Sequence, residues 1–210
     1  MTDRTQDRSF AACGIAFVAL ELVGFGLGGP THQLTVTANA SQIARTLATP
    51  AGTLSWVGAY LDLLGFGAFL AFAAWACLKL GGGLLGQLGR ATATSYATVS
   101  IVSLAVMDTI AYRAGHGLST DLARTLIAVN EALFVGTWFL MAFFLVAAGA
   151  LALSSARTVL GWSAIGVALY TLLATAVSID RLGQLSLLLF FLWVCGAAIA
   201  LKRKPEPKAP

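Results

Sequence analysis

One stretch decides the fold: residues Leu63 to Leu78 read LLGFGAFLAFAAWACL. It holds no charged side chain, and apolar residues fall on every face of a helix drawn through it. The strands of membrane barrels alternate apolar and polar residues over about ten positions, and this stretch does not. A run without a polar face is typical of a helix covered by lipid or by other helices. The chain is therefore predicted to be an all-α membrane protein.

The composition of the whole chain leads to the same prediction. Of its 210 residues, 58% are hydrophobic and only 10% are charged, with a mean hydropathy of +0.84, whereas soluble domains carry about a quarter charged residues. The chain divides at charges, Gly/Pro clusters and polar runs into six apolar stretches, each long enough for the roughly 20 helical residues that a membrane core requires. They are residues 10–29, 54–80, 93–112, 122–153, 159–178 and 182–201, which form a single transmembrane domain, 10–201, between an N-terminal tail, 1–9, and a basic C-terminal tail, 202–210.

The distribution of Lys and Arg predicts that both termini are cytoplasmic. Basic residues are enriched in the cytoplasmic segments of membrane proteins. With an inside N-terminus, nine of the thirteen lie on the cytoplasmic side, where the last four settle the balance: Arg4, Arg8, Lys79, Arg90, Arg157, Lys202, Arg203, Lys204 and Lys208. The other four lie outside: Arg45, Arg113, Arg124 and Arg181.

The first stretch has an alternative interpretation as a secretory signal peptide, since Ala38-Asn39-Ala40 resembles a cleavage site. We favour an uncleaved first helix, because the apolar run is about twice the usual signal length and contains Glu21. The segment that follows, residues 30–53, is the only long connection. It is predicted to act as a lid or spacer, with a short helix, Gln42–Ala48, that is capped by Ser41 and lies on the membrane surface.

Several familiar motifs fail on context. Gly24-Phe25-Gly26-Leu27-Gly28-Gly29 matches G-x-G-x-x-G, but it ends a membrane span instead of joining a strand to a helix. The glycines read better as a Gly24-x-x-x-Gly28 contact face, which would also allow a homo-oligomer. The glycine-rich segment 81–86 is predicted to be a flexible cytoplasmic loop, because Gln87 and Leu88 follow it where a phosphate-binding loop has Lys and Ser or Thr. The net charge of +4 comes from residues at span ends, so no nucleic-acid partner is expected, and no cofactor is indicated.

Four acidic residues lie inside the apolar stretches: Glu21, Asp62, Asp108 and Glu131, one in each of the first four. An ionised carboxylate in hydrocarbon costs ~2.5–3.5 kcal/mol even on the lenient insertion scale. Four unpaired carboxylates would together cost on the order of 10 kcal/mol, comparable to the stability of a domain. They must therefore be paired, protonated or in a wet interior, and all four are predicted in the outer half of the membrane.

The spacing of small residues indicates where two of these acids point. Glu21 shares a helix face with Gly24, and Asp62 shares one with Gly58 and Gly65. Small residues mark contacts between membrane helices. Both carboxylates should therefore point into the bundle.

We expect a polar, outward-facing pocket among the first four helices, with Arg113 and Arg124 at the helix ends as partners of the acids. Such a cluster can share protons, a cation or a small solute. Two alternatives stay open. The acids could pair with Arg113, Arg124 and Asn130 in a purely structural or assembly subunit, or His32 or His116 could join them in a metal-dependent membrane enzyme.

A family resemblance runs over most of the chain. The segments that carry it are NEALF (130–134), AGALAL (148–153), LGW (160–162), GVALY (166–170) and LDLLG (61–65). Together they resemble a family of small bacterial multi-pass membrane proteins classed as a domain of unknown function. The resemblance implies a six-helix protein of the bacterial inner membrane, and it implies no activity, cofactor or catalytic residue.

Overall fold

A computed structural model of the protein describes residues 2–177 and 180–202, and in this part the chain is helical without a β-strand. Its elements are α1 (Thr2–Leu27), a 3-10 helix (Pro30–Gln33), α2 (Ala40–Leu47), α3 (Thr53–Leu80), α4 (Gly83–Arg113), α5 (Thr120–Ser154), α6 (Thr158–Val177) and α7 (Asp180–Lys202). Apart from α2, each α-helix is long and apolar enough to cross a membrane. The prediction of an all-α protein with six such helices is confirmed. Ser178, at the predicted end of the fifth stretch, and the tail residues Arg203, Lys204 and Lys208 lie outside the described residues.

Successive long helices run in opposite directions, so the bundle has two distinct ends. We call the end with segment 28–52 and turn 114–119 the long-loop end, and the opposite one the terminal end. At the terminal end, the Asp7 carboxylate on α1 accepts hydrogen bonds from Trp75 Nε1 at 3.0 Å and from Lys79 Nζ at 2.8 Å, both on α3. Arg157 Nη1 donates to the Ala200 carbonyl oxygen at 2.7 Å and thereby joins the start of α6 to the end of α7.

Glycine allows α1 and α3 to pack unusually closely. A Cβ built on Gly24 would lie 3.0 Å from the Gly58 carbonyl oxygen, and one built on Gly58 would lie 2.9 Å from the Gly24 carbonyl oxygen. Further along the same face, Gly14 lies against the Phe72 ring. The prediction that small residues mark a helix contact is confirmed for Gly24 and Gly58. It is wrong for Gly28, where a Cβ would instead meet the Phe25 carbonyl oxygen of the same helix and the His32 side chain.

The middle of the bundle is filled by aromatic rings. Phe17 on α1 and Phe69 on α3 are fully buried, with ring centroids 5.0 Å apart. Phe69 also contacts Tyr96 on α4 at 5.3 Å and Phe144 on α5 at 5.4 Å, and Phe190 on α7 joins the same cluster. We call these five residues the aromatic core. Since five helices contribute one ring each, it fixes their positions relative to one another.

Helix α4 begins at Gly83, well before the apolar stretch that predicted it, so the prediction of a flexible loop over 81–86 is wrong from Gly83 onward. The turn before α4 and the first residue of the helix use the conformational freedom of glycine, since Gly81, Gly82 and Gly83 have φ of 138°, 63° and 63°. Gly89 instead serves packing, because a Cβ there would lie 2.8 Å from the Cys77 sulfur. A glycine-rich sequence predicts a loop even where its glycines lie in a helix and form a contact with another helix.

The short helix predicted in the long loop exists, but two details were wrong. Asn39, not Ser41, caps α2: its side chain accepts from the Gln42 backbone N–H at 2.9 Å, and the Gln42 side chain accepts from the Asn39 N–H at 2.8 Å. The apolar face does not lie on the membrane surface either. Ile43 and Leu47 are buried against a cluster from α4, α5 and the turn between them, formed by Met107, Ile110, Ala114, Ala123 and Ile127.

Candidate functional site

Two of the predicted site residues, Glu21 and Asp62, lie between α1 and α3. The Asp62 carboxylate occupies the volume in which Gly24 would carry a side chain, and the Glu21 carboxylate does the same at Gly65, where a Cβ would lie 2.5 Å from Oε1. Each acid therefore lies over a glycine of the facing helix. The prediction that both point into the bundle is confirmed.

Burial leaves these two carboxylates short of hydrogen-bond donors. Asp62 is 8% exposed, and neither its Oδ1 nor Oε1 of Glu21 has a hydrogen-bond partner among the described residues. The two acids are close enough to interact electrostatically. An unpartnered charged oxygen in an apolar interior is strongly unfavourable. The pair therefore requires a compensating positive charge.

A third predicted residue, Asp108 on α4, lies nearer the long-loop end and has a partner. Its Oδ1 is 3.4 Å from Nε2 of His32, and the two side chains are 22% and 19% exposed. His32 belongs to the 3-10 helix, which begins with Pro30, and its side chain lies beside Gly28 at the end of α1. His32 and Asp108 both interact electrostatically with Asp62. These groups form a staggered series from Glu21 through Asp62 to the His32–Asp108 pair. We call these four residues the acid ladder.

The inner end of the acid ladder meets the aromatic core. Phe17 lies one helical turn below Glu21, and Phe66, which contacts Phe17 at 6.1 Å, follows Gly65 directly. Tyr96 is within electrostatic range of Glu21, and its hydroxyl also interacts with Ser100. Below Glu21 the ladder is therefore closed by rings, while its other end reaches partly exposed side chains.

Glu131, the fourth predicted acid, is not part of the buried group. Its side chain is exposed, and Oε2 accepts from the Val36 N–H in the long loop at 3.4 Å. Its neighbour Asn130 accepts a hydrogen bond from Ser103 on α4 at 2.7 Å, so Asn130 pairs with a hydroxyl and not with an acid. The four acids do not converge on one point.

The expected pairing of the acids with Arg113 and Arg124 is not seen within residues 2–177 and 180–202. Both arginines are exposed at the long-loop end, and neither forms an ion pair with a described acid. A helix end near a carboxylate in sequence does not fix which way a long side chain points, and an exposed guanidinium is already solvated by water.

The two histidines differ in their surroundings. His116 is exposed and stacks on Tyr112 at 6.0 Å, away from the acids, whereas His32 joins the ladder. Among the described residues, no three His, Cys, Asp or Glu side chains are grouped at metal-ligand spacing. From the sequence, His32 was predicted only as a possible metal ligand. The sequence signal for its place in the ladder was a histidine five residues after the end of a span that contains an acid, Glu21.

Thr31, next to His32, was missed altogether. It is 3% exposed and its hydroxyl oxygen has no partner within the described residues. Nothing in the periodicity of a loop marks one of its threonines as buried. It is the third buried group without a partner in this region, after Glu21 and Asp62.

No protein-family model, curated protein or solved structure matches this chain. The site is therefore interpreted from its own geometry.

Proposed function

We propose that this multi-pass membrane protein binds a positively charged species, a proton or a small cation, at the acid ladder, as a transporter-like or ligand-sensing protein. The observation that carries the proposal is Asp62, which is buried and has an unpartnered oxygen beside the equally unpartnered Glu21. Acidic residues inside membrane spans mark ion pathways and proton relays in many membrane proteins. A bound positive charge supplies what the surrounding side chains lack.

The ligand enters from the long-loop end in this proposal. His32 and Asp108 at the top of the ladder are partly exposed, while the aromatic core closes the opposite side. We place the long-loop end outside the cell, in keeping with the distribution of Lys and Arg, and both termini in the cytoplasm. Transport would require the aromatic core to rearrange, whereas sensing would not.

Arg113, Arg124 and Glu131 belong to the rim of the proposed site, since they are exposed at or near the end where the ligand enters. Charges at an entrance influence the rate of ligand encounter more than the affinity. Membership of the bacterial family, and a location in the bacterial inner membrane, stay predictions from the sequence.

The test is ligand-dependent stability of the full-length protein in detergent. Any ligand that binds only the folded state raises the unfolding temperature. Protons, Na⁺, K⁺, Mg²⁺, Ca²⁺ and a primary amine are compared for wild type, Asp62→Asn and the exposed-acid control Glu131→Gln. We expect at least one of them to stabilise wild type and Glu131→Gln but not Asp62→Asn. Identical responses of wild type and Asp62→Asn to every ligand would contradict the proposal.

The same experiment tests a structural role, which the close fit of each acid over a glycine of the facing helix also favours. A purely structural pair would make Asp62→Asn change the unfolding temperature by the same amount under all conditions. A ligand site makes that change depend on the ligand.

A further inference from the structure

We infer that the ligand of the acid ladder is the proton, and that His32 carries it between solvent and the buried carboxylates. This inference rests on the proposed function and specifies its substrate. Three observations support it: the space around the acids, the ligands available there, and the position of His32.

The space around Glu21 and Asp62 suits a proton better than a larger ion. A single carbon added at Gly24 or Gly65 would already collide with a carboxylate, so each acid is in contact with backbone on that side. A metal cation needs room for a shell of several oxygen atoms. A proton needs one oxygen and no additional volume.

The oxygen atoms available as ligands also favour a proton over a metal cation. Ca²⁺ takes six to eight oxygens, and Mg²⁺ needs a near-octahedral set. Among the described residues, the buried oxygens without a partner in this region are Oε1 of Glu21, Oδ1 of Asp62 and the Thr31 hydroxyl, which are fewer than such an ion needs. The backbone carbonyls of α1 and α3 are engaged in their helices. Protonation removes the buried charge directly.

The position of His32 makes it the carrier. Its side chain is 19% exposed, so water reaches it, and it is near enough to both Asp108 and Asp62 to interact with their charges. Histidine is the side chain that gains and loses a proton near neutral pH. The other titratable groups facing this region are Asp108 and Tyr96 on α4, Glu21 on α1 and, at the rim, Glu131 on α5.

The transfer balances in one step. The His32 imidazolium, formed by a proton from solvent, gives up one N–H proton, and an Asp62 carboxylate oxygen accepts it. The products are neutral imidazole and a neutral carboxylic acid, so one positive charge has moved inward. Asp108 positions the ring from the other side, with its Oδ1 at 3.4 Å from His32 Nε2. A single water between the His32 ring and the Asp62 carboxylate can relay the proton when the two groups are not in direct hydrogen-bond contact.

The experiment is a pH jump on the purified full-length protein, with proton uptake followed by an indicator dye in a stopped-flow instrument. The amplitude of the dye signal measures how many protons the protein binds, and the rate of the signal measures how fast they reach the buried carboxylates. We expect Asp62→Asn to lower the amplitude. We expect His32→Gln to slow the uptake of protons by the buried carboxylates by roughly 10-fold or more. Added free imidazole should restore the rate of that uptake. His116→Gln, which also removes one histidine proton, is the matched control and should keep the wild-type rate.

Each contrary result has a defined meaning. A wild-type rate in His32→Gln, or a slow rate that imidazole does not restore, would overturn the role of His32. An unchanged amplitude in Asp62→Asn, together with stabilisation of wild type but not Asp62→Asn by a metal ion or amine, would overturn the proton as ligand and leave the proposed function standing. An Asp62→Asn variant that matches wild type in both experiments would overturn both.

Discussion

At the scale of single residues, the site consists of acids placed where the facing helix lacks side chains. Asp62 lies over Gly24, and Glu21 lies over Gly65. The glycines thus do two things: they bring two helix backbones together, and they leave room for a carboxylate at the contact. The arrangement excludes neighbouring donors at the same time, because a glycine offers no side chain for a hydrogen bond. This explains how two polar side chains can be both tightly packed and unpartnered.

The first prediction tests this fit. Gly24→Ala should destabilise the protein by about 1–3 kcal/mol, because the added methyl group collides with Asp62 and with the Gly58 carbonyl oxygen. Gly26→Ala, two residues away on α1, is the control, since nothing lies within 4 Å of a Cβ there. It should be neutral or up to about 1 kcal/mol more stable through helix propensity. Thermal unfolding in one detergent measures both, and equal unfolding temperatures would contradict the close helix approach.

The second prediction concerns the closure below the ladder. Phe17→Ala should cost about 3–5 kcal/mol, since it removes a fully buried ring from the aromatic core and leaves a cavity. Phe25→Ala, on the same helix, removes a ring that is 81% exposed and should have little effect in detergent. Chemical or thermal unfolding gives the difference between the two. A Phe17→Ala variant as stable as Phe25→Ala would show that the aromatic core does not support the bundle.

At the scale of elements, the long loop is organised by α2 and by three separate attachments. Ile43 and Leu47 bury the apolar face of α2, His32 contacts Asp108, and Val36 donates to Glu131. Since the loop is fixed to α4 and α5 as well as to its own flanking helices, it covers the top of the bundle. The prediction of a lid or spacer is compatible with this position.

The third prediction tests the cap of α2. Asn39→Ala removes the acceptor for the Gln42 backbone N–H and should destabilise this helix by about 0.5–2 kcal/mol. Hydrogen exchange over residues 40–47 is the measurement, because local opening of the loop does not require global unfolding. Ser41→Ala serves as the control and should change exchange less. If Ser41→Ala raised exchange more than Asn39→Ala, the assignment of the cap would be wrong.

The sequence predicts the membrane-spanning helices better than it predicts the loops between them. The spans and the inward direction of Glu21 and Asp62 follow from apolar length and from glycine spacing, which are periodic signals that one sequence carries. The cap of α2, the buried Thr31 and the partner of Asp108 depend on how a non-periodic segment folds back. The early start of α4 was hidden because glycine favours loops in sequence, while at Gly89 it serves a helix contact.

At the scale of the whole molecule, the bundle is asymmetric between its ends. The terminal end is held by direct polar contacts such as Asp7 with Lys79 and Arg157 with the Ala200 carbonyl oxygen. The long-loop end holds the acid ladder, with the aromatic core between the two. In the function proposed above, a ligand reaches the ladder from one side of the membrane, so the proposal makes the orientation of the chain part of the function.

The fourth prediction is that the long-loop end lies outside the cell and the terminal end lies in the cytoplasm. In a variant without the three native cysteines, Thr37→Cys at the exposed long-loop end should react with a membrane-impermeant thiol reagent added to intact cells. Gln87→Cys, exposed near the terminal end on α4, should react only after the cells are opened. The opposite pattern would invert the topology and make the ladder accessible from the cytoplasm.

The central claim is that the buried pair of Glu21 and Asp62 binds a positive charge that exchanges with one side of the membrane. Its most direct test is reaction of the full-length protein in membranes with a hydrophobic carbodiimide, which modifies protonated carboxyl groups in apolar surroundings, followed by mass spectrometry of the modified residues. We predict modification at Glu21 or Asp62, and protection when alkaline pH removes the proton or when a competing cation takes its place. Modification confined to exposed Glu131, or modification at the buried pair that neither pH nor any cation alters, would contradict the account.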